Sequence, residues 1–357
     1  MIQKYILILL LIAVTSPMLA QIQQSDSKSD TIDEKRIDLS LMPYLSYNRN
    51  LKLILGLIPM AMYKLNPDDD ISPKSLSGVA AAYTTNGSRF IGFFNRLYFA
   101  EDKWRITFFG GTGDHYSQFF MDHAEFPGFY EFGTETTIIS AGVQRKITQG
   151  LYGGFTYTYA NHLTTFEDDI RPESRTETHA LEYSLALDLR DDVYYPNTGS
   201  LAKVRWKSFP DWIGNEVNAD KILAEYNHYF SVRNQSDVVA ARIAGNFGLG
   251  NIAFEQQVTI SGTDIRGYSE GKYRGDGLLA LQGEYRYNLK NRMGLVGFAG
   301  LATIYGSDTP DFNWDLYPGI GVGYRYRAFK TVKFNIGLDA AFGKDDWGIY
   351  FRIGEAF

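Results

Sequence analysis

Apolar and polar residues alternate with a period of two along most of this chain, as in strands with two unlike faces. In Leu201–Ser208, Ala202, Val204 and Trp206 fall on one face and Lys203, Arg205 and Lys207 on the other. In His179–Arg190, Leu181, Tyr183, Leu185, Leu187 and Leu189 oppose Glu182, Ser184, Asp188 and Arg190. In Val332–Phe342, Phe334, Ile336, Leu338 and Ala340 oppose Lys333, Asn335 and Asp339. The pattern predicts strands near 37–47, 51–63, 76–85, 88–99, 103–113, 134–147, 151–163 and 179–190. It predicts a further eight near 199–209, 219–231, 236–249, 277–289, 293–304, 316–328, 331–342 and 346–356.

Three cations in a row on one strand face do not suit a dry core without partners. They suit a water-filled or polar-filled interior, with the apolar face turned to lipid. After residue 20 no apolar run reaches the length of a membrane helix, roughly 20 residues. The expected fold class is therefore all-β, a transmembrane antiparallel β-barrel of about 16 strands, with fourteen as the alternative count. Counted back from the last strand, the long connections near 114–133, 164–178, 210–218, 250–276 and 305–315 fall at one end of the barrel. The short ones near 148–150, 232–235, 290–292 and 329–330 fall at the other, with 64–75 and 343–345 as exceptions. The last strand runs to a terminal aromatic, and Phe351, Ile353 and Phe357 look like the C-terminal signal of outer-membrane barrels.

The ends and the composition narrow this further. Residues 1–20 read as a secretory signal peptide, with Lys4 ahead of an apolar run and Ala20 at the cut. Residues 21–36 read as a short disordered lead and 37–357 as the barrel. The chain has no Cys, five His, 25 Tyr and 24 Phe, which excludes a disulfide framework and a thiol nucleophile. A formal net charge of −6 with no basic cluster excludes nucleic acid as a partner. No cofactor is expected. Asp114-His115 and Asp122-His123 with Glu125 could supply metal ligands, and Asp68-Asp69-Asp70 could attract a cation. Solvated loop residues are the simpler reading of each, and no metal site is assigned. A hydrolase would need a Ser, a His and a polar orienter to converge. No short motif of the Gly-x-Ser-x-Gly kind is assigned to such a site. Gly319-Ile320-Gly321-Val322-Gly323 sits inside a strand, where it reads as close backbone approach and not as a phosphate loop, so the chain is read as non-enzymatic.

One stretch departs from the alternation. Ser261 to Leu289 begins as a polar, Gly-rich loop around Ile265-Arg266-Gly267-Tyr268 and then becomes a strand. That motif, followed by Gly275-Asp276-Gly277 and Glu284-Tyr285-Arg286, resembles the BamA/TamA superfamily of outer-membrane assembly barrels, the bacterial surface antigen domain. Asp188-Leu189-Arg190-Asp191 with Pro196 and Gly199 is similar to that family's periplasmic turn. Leu338 to Phe342 with Gly354 to Phe357 is similar to its closing hairpin, and Pro43 to Tyr47 to its first strand.

The resemblance implies a sixteen-stranded barrel in the outer membrane of a Gram-negative bacterium. It implies that the loop before the last five strands folds into the lumen, where its arginine meets acidic residues of the wall. Strand parity turns Asp339 and Glu284 toward the lumen, and these are the candidate partners of Arg266. The family commonly carries an acid in the strand after that of Glu284, but the matching stretch here is Gly297-Phe298-Ala299-Gly300-Leu301-Ala302. The short lead leaves no room for POTRA domains, so a member lacking them is expected. The implied function is insertion, assembly or surface export of outer-membrane proteins, or lipid handling. Outer-membrane lipid, client proteins and separate periplasmic or membrane accessory proteins are the implied partners. The alternative is a passive diffusion pore or structural barrel without insertase activity.

Overall fold

A strand with one lipid-facing and one lumen-facing side can close only against other strands, because unpaired backbone amides are not tolerated in hydrocarbon. The computed structural model shows that closure. It describes residues 37–48, 51–121, 128–167, 172–216, 218–252, 254–262, 264–269, 271–289, 291–329 and 332–357. The signal peptide, the lead and the pair Asp122-His123 with Glu125 lie outside these residues.

The strands are β1 (Ile37–Asn48), β2 (Lys52–Tyr63), β3 (Ser75–Thr84), β4 (Arg89–Phe99), β5 (Trp104–Met121) and β6 (Gly128–Thr148). Then come β7 (Leu151–Phe166), β8 (Ser174–Asp188), β9 (Gly199–Phe209), β10 (Ala219–Val232) and β11 (Asp237–Gly250). Two short pieces, β12 (Val258–Thr259) and β13 (Arg274–Gly275), pair inside the loop that follows β11. The last five are β14 (Gly277–Asn288), β15 (Met293–Tyr305), β16 (Tyr317–Arg327), β17 (Asn335–Gly343) and β18 (Asp346–Ile353). All strands except β12 and β13 form one closed antiparallel barrel of sixteen, in which β11 pairs with β14 and β18 returns to β1.

The alternation sorts as a lipid-facing barrel requires. On β14, Leu279, Leu281, Tyr285 and Tyr287 are exposed, while Leu278, Ala280, Gln282, Glu284 and Arg286 are buried. On β9, Val204 and Trp206 point out. A row of outward rings crosses three strands, Phe155 to Tyr183 at 5.4 Å and Tyr183 to Trp206 at 5.7 Å. Cross-strand aromatic pairs of this kind contribute several tenths of a kcal/mol each, roughly 0.2–1. Among the described residues no helix is long and apolar enough to cross a membrane; the crossings are strands.

Two expectations need correction. The stretch 114–133, expected as a long loop, is mostly strand: β5 and β6 pair from Trp104↔Arg145 to Met121↔Gly128. These strands outrun the roughly 9–11 residues that cross a bilayer. Beyond the bilayer the outward face meets water in place of lipid while Phe119 and Phe132 stay buried, so the sequence loses its apolar-out alternation although the ladder continues. Asp114 and His115 are therefore neighbours on β5, on opposite faces, and Asp114 pairs with Arg89 across the β4–β5 ladder at 2.6 Å. The second correction is at the C-terminus. β18 stops at Ile353, and Gly354, at φ +83°, turns the chain off the ladder, so Phe357 is not a residue of the last strand. Glu355 is drawn to Arg325 (3.2 Å) and to the Asn335 amide (2.8 Å), and Arg286 donates to the Phe357 main-chain oxygen (2.7 Å).

The end of the barrel where β1 begins is closed by apolar side chains. Leu189–Thr198, between β8 and β9, folds back across it, and the Tyr194 hydroxyl donates to the Lys74 carbonyl at 2.6 Å. Tyr194 packs in a cluster with Met42, Met60, Met62, Leu76, Phe329 and Phe334. The 64–74 turn beside it is held by Asp69. Its carboxylate accepts from the amides of Ile71 (3.1 Å), Ser72 (2.9 Å) and Glu101 (2.9 Å) and from the Ser72 hydroxyl (2.6 Å). Desolvation pushes this carboxyl up, but the hydrogen bonds from Ser72, Glu101 and Ile71 outweigh it and bring the pKa down to about 2. A depressed carboxylate supplies stability above its unfolded pKa and loses it as pH falls through the folded value. Amide exchange in the 64–74 turn is therefore expected to stay slow from neutral pH to about 4. It should rise as the pH falls toward about 2. Asp69→Ala should exchange fast throughout; a turn equally protected in that variant would show that the carboxylate is not its anchor.

Candidate functional site

The β11–β14 connection, residues 251–276, enters the lumen. Its base is clamped by aromatic packing: the Phe254 ring lies 5.6 Å from Phe119, 5.5 Å from Phe132 and 5.8 Å from Phe166. Arg274 sits 4.0 Å over the Phe254 ring and donates to the Phe254 carbonyl at 2.5 Å. Further in, the Ile260 amide donates to the Tyr273 carbonyl at 2.9 Å. Ile260, Ile265, Tyr268 and Tyr273 then join Leu278, Ile304 and Tyr317 of the wall in one apolar cluster. The tip is a tight turn in which the Ile265 amide donates to the Ser261 carbonyl at 2.9 Å.

That turn delivers Arg266, only 1% exposed, against the wall of the last five strands. One guanidinium nitrogen pairs with Asp339 Oδ2 at 2.6 Å and the other with Glu284 Oε1. Its central carbon lies 3.4 Å from the centroid of the Phe298 ring. Phe298 belongs to the stretch in which the resemblance would have placed an acid, so this chain offers a π-face there. Sequence parity presented Asp339 and Glu284 as separate candidates, and the structure brings both onto the one arginine.

The arginine is part of a larger array that the sequence reading missed. Asp339 also accepts from Arg325 and from Arg352 Nε at 3.4 Å. Glu284 pairs with Arg286 at 3.2 Å, and Glu355 lies 3.2 Å from Arg325 and 3.7 Å from Arg286. Four guanidinium groups thus surround three carboxylates. A buried carboxylate without such partners would carry a heavy desolvation cost. Parity alone signalled that Arg286, Arg325 and Arg352 face inward; it did not signal their height in the barrel, which depends on the stagger between strands.

The rest of the motif docks on β16, β17 and β18. Gly267, at φ +114°, donates its amide to the Tyr350 hydroxyl at 3.0 Å. The Tyr268 hydroxyl donates to the Pro318 carbonyl (2.6 Å) and accepts from the Lys344 amide (2.9 Å). Ser269 donates its amide to Asp346 at 2.7 Å. Gly267-Tyr268-Ser269-Glu270-Gly271 has the Gly-x-Ser-x-Gly spacing, which the sequence reading overlooked. A nucleophile elbow exposes its serine between a strand and a helix. Ser269 is instead buried in a lumen loop, its hydroxyl 3.3 Å from Asp346.

Beside this docked wall lies the seam. β1 and β2 pair without a break from Ile37↔Tyr63 to Asn48↔Lys52, but β1 and β18 register only at Tyr47↔Ile349 among the described residues. A Ser46 hydroxyl bond to the Ile349 carbonyl (2.5 Å) supports this join. So do the Tyr47–Trp347 and Tyr44–Phe351 ring contacts, each at 5.1 Å. Phe351 and Ile353, two of the expected C-terminal signal residues, lie on β18; Phe357 instead packs near Tyr195, Tyr229 and Val238. The anchors of the loop tip described above lie on β14 to β18 and in the β17–β18 turn. The loop base packs on β5, β6 and β7, and β1 supplies none of these contacts.

A family model described as the Omp85 superfamily domain matches residues 76–357. The chain belongs to the Omp85 superfamily. No curated protein sequence matches it. Among solved structures it is similar to BamA from Haemophilus ducreyi lacking POTRA domains 1–3, with 11% identity and a TM-score of 0.57. That match covers 95% of this chain and 76% of the BamA chain. It is also similar to CdiB from Acinetobacter baumannii, with 13% identity and a TM-score of 0.61 over 89% of this chain and 59% of that one. CdiB from Escherichia coli matches with 9% identity and a TM-score of 0.60, over 90% of this chain and 63% of that one. The chain thus spans about three-fifths of the two CdiB chains. As an Omp85 barrel of sixteen strands, the protein resides in the outer membrane of a Gram-negative bacterium.

Proposed function

We propose that this Omp85 barrel assists the insertion, assembly or surface export of other outer-membrane proteins, working with separate proteins that deliver its clients. The observation that carries this reading is the seam. A barrel made only to be stable would pair β1 and β18 as fully as its other strands. Here the join is reduced to the surroundings of Tyr47 and Ile349, leaving strand-edge amides and carbonyls for an incoming strand. Because the Arg266 tip of the lumen loop is held by β14 to β18 and not by β1, the seam can part without breaking the Arg266 contacts. The apolar closure around Tyr194 argues against an open diffusion pore. Conductance in planar bilayers should therefore be small, whereas a large, steady conductance independent of the loop would favour the pore.

The chain has no Cys, so a pair introduced at Tyr47 and Ile349 has no competing thiol. Facing residues of an antiparallel pair have Cα atoms about 4.5–5.5 Å apart, within the span of a disulfide. Cells carrying only the oxidised Tyr47→Cys/Ile349→Cys barrel should lose specific proteins from their outer membrane, and reduction should restore them. Unchanged outer-membrane composition with the seam locked would refute the reading.

A further inference from the structure

The lumen is not uniformly polar, although the alternation suggested a polar or water-filled interior. Toward the rim opposite the Tyr194 closure lies a mostly apolar chamber of about 500 Å³, whose lining includes Tyr44, Ile54, Ile58, Phe90, Ile138 and Ile353. The paired Arg89 and Asp114 are also on its wall. Below it is a second space of about 560 Å³, whose wall includes Arg96, Lys203 and Lys207. Ile138 lines both, so the two share a wall. Each is of a size that takes a small ligand, roughly 300–1,000 Å³.

The charges of the lower space do not cancel. Arg105 is neutralised by Asp102 (2.7 Å) and Asp188 (2.8 Å), and Arg190 by the same Asp188 (2.8 Å). Lys207 stands opposite Glu182 in register, but Glu182 pairs with Arg205 at 3.5 Å. Lys203 stands opposite Glu225, but Glu225 pairs with Arg242 at 3.4 Å. Among the described residues Arg96, Lys203 and Lys207 form no ion pair. The wall thus carries Glu182, Asp188 and Glu225 against Arg96, Arg105, Arg190, Lys203, Arg205 and Lys207. The three cations left without an ion pair attract an anion. The apolar chamber directly above has no use for a free ion.

We propose that this well binds a membrane lipid with an anionic headgroup, its phosphate near Lys203 and Lys207 and an acyl chain in the Ile54–Ile58–Ile138 chamber. The route in is the seam, since Tyr44 of β1 and Ile353 of β18 line the chamber from its two sides. This inference is independent of the insertase reading, because a static barrel with the same seam would bind the same lipid.

The test uses the full barrel in non-ionic detergent, titrated with lysophosphatidic acid and with lysophosphatidylcholine and followed by native mass spectrometry. The anionic lipid should bind about tenfold tighter or more, a difference near 1.4 kcal/mol. Lys203→Gln/Lys207→Gln should erase that preference, and Ile54→Asn should weaken both lipids alike. Heat-modifiable mobility on semi-native gels checks that each variant is folded; if the double variant is not, Arg96→Gln alone should still reduce the preference. Equal binding of the two lipids by the wild-type barrel would overturn the proposal. Displacement of the lipid by millimolar inorganic phosphate alone would mark a free-anion site and also overturn it. Binding of an acidic peptide without binding of either lipid would overturn it in favour of a polypeptide path.

Discussion

Arg266→Ala should lower the temperature at which the folded barrel converts to its unfolded mobility on semi-native gels, and should lower its abundance in the outer membrane. Removing one member of a buried ion pair costs about 3–5 kcal/mol when the other is left alone. Here neither acid is left alone: Glu284 keeps Arg286, and Asp339 keeps Arg325 and Arg352. The loss should fall toward the low end of that range, with the contact to the Phe298 face added to it. Arg266→Lys should recover only part, because a single ammonium lacks the fork that reaches two carboxylates at once. The acids should rank by how many arginines they hold. Asp339 faces Arg266, Arg325 and Arg352, whereas Glu284 faces Arg266 and Arg286. Asp339→Asn should thus cost more than Glu284→Gln. Unchanged conversion temperature and abundance in Arg266→Ala would mean that the array contributes nothing to the fold. Because such barrels unfold irreversibly, the readout is operational, and variants are compared at one heating rate.

The barrel was legible because lipid makes alternation strict. A strand such as β14 turns Leu279, Leu281, Tyr285 and Tyr287 to lipid and Gln282, Glu284 and Arg286 to a packed polar lumen, a contrast repeated along sixteen strands. Where lipid no longer covers the outer face, the signal fades: the upper parts of β5 and β6 read as loop although they are paired. Parity also says which way a side chain faces but not what stands opposite it. It turned Asp339 and Glu284 inward, yet Phe298 under Arg266 and the Glu355–Arg325 pair depend on stagger and on the turn at Gly354. The Tyr194 closure was illegible for a related reason. A tyrosine in a short turn carries no mark of crossing the barrel to reach the Lys74 carbonyl 120 positions earlier in the chain.

Gly267→Ala should destabilise the loop about as strongly as Arg266→Ala, by a different route. At φ +114° any Cβ is strained, at a cost of about 1–3 kcal/mol. The Cβ would also stand 2.6 Å from the Phe342 carbonyl carbon and 2.7 Å from the Gly343 nitrogen, both backbone atoms of the β17–β18 hairpin. Neither yields as a side chain would, so the tip has to lift. Lifting breaks the Gly267 bond to Tyr350 and strains the Tyr268 bridge between Pro318 and Lys344, and it draws Arg266 away from its acids without altering them. If the motif acts as one brace, the second substitution finds the contacts already lost. Arg266→Ala/Gly267→Ala should then cost little more than the worse single variant, with a coupling of about 1–3 kcal/mol. Additive losses would mean that arginine and glycine hold the wall separately. The same comparison bears on the seam, because the glycine docks on the hairpin whose outer strand is β18. A lifted loop frees Tyr350 and Arg352 on that strand. In Gly267→Ala, a cross-link at Tyr47→Cys/Ile349→Cys should consequently form more slowly than in the parent, as β18 loses the support that keeps it facing β1.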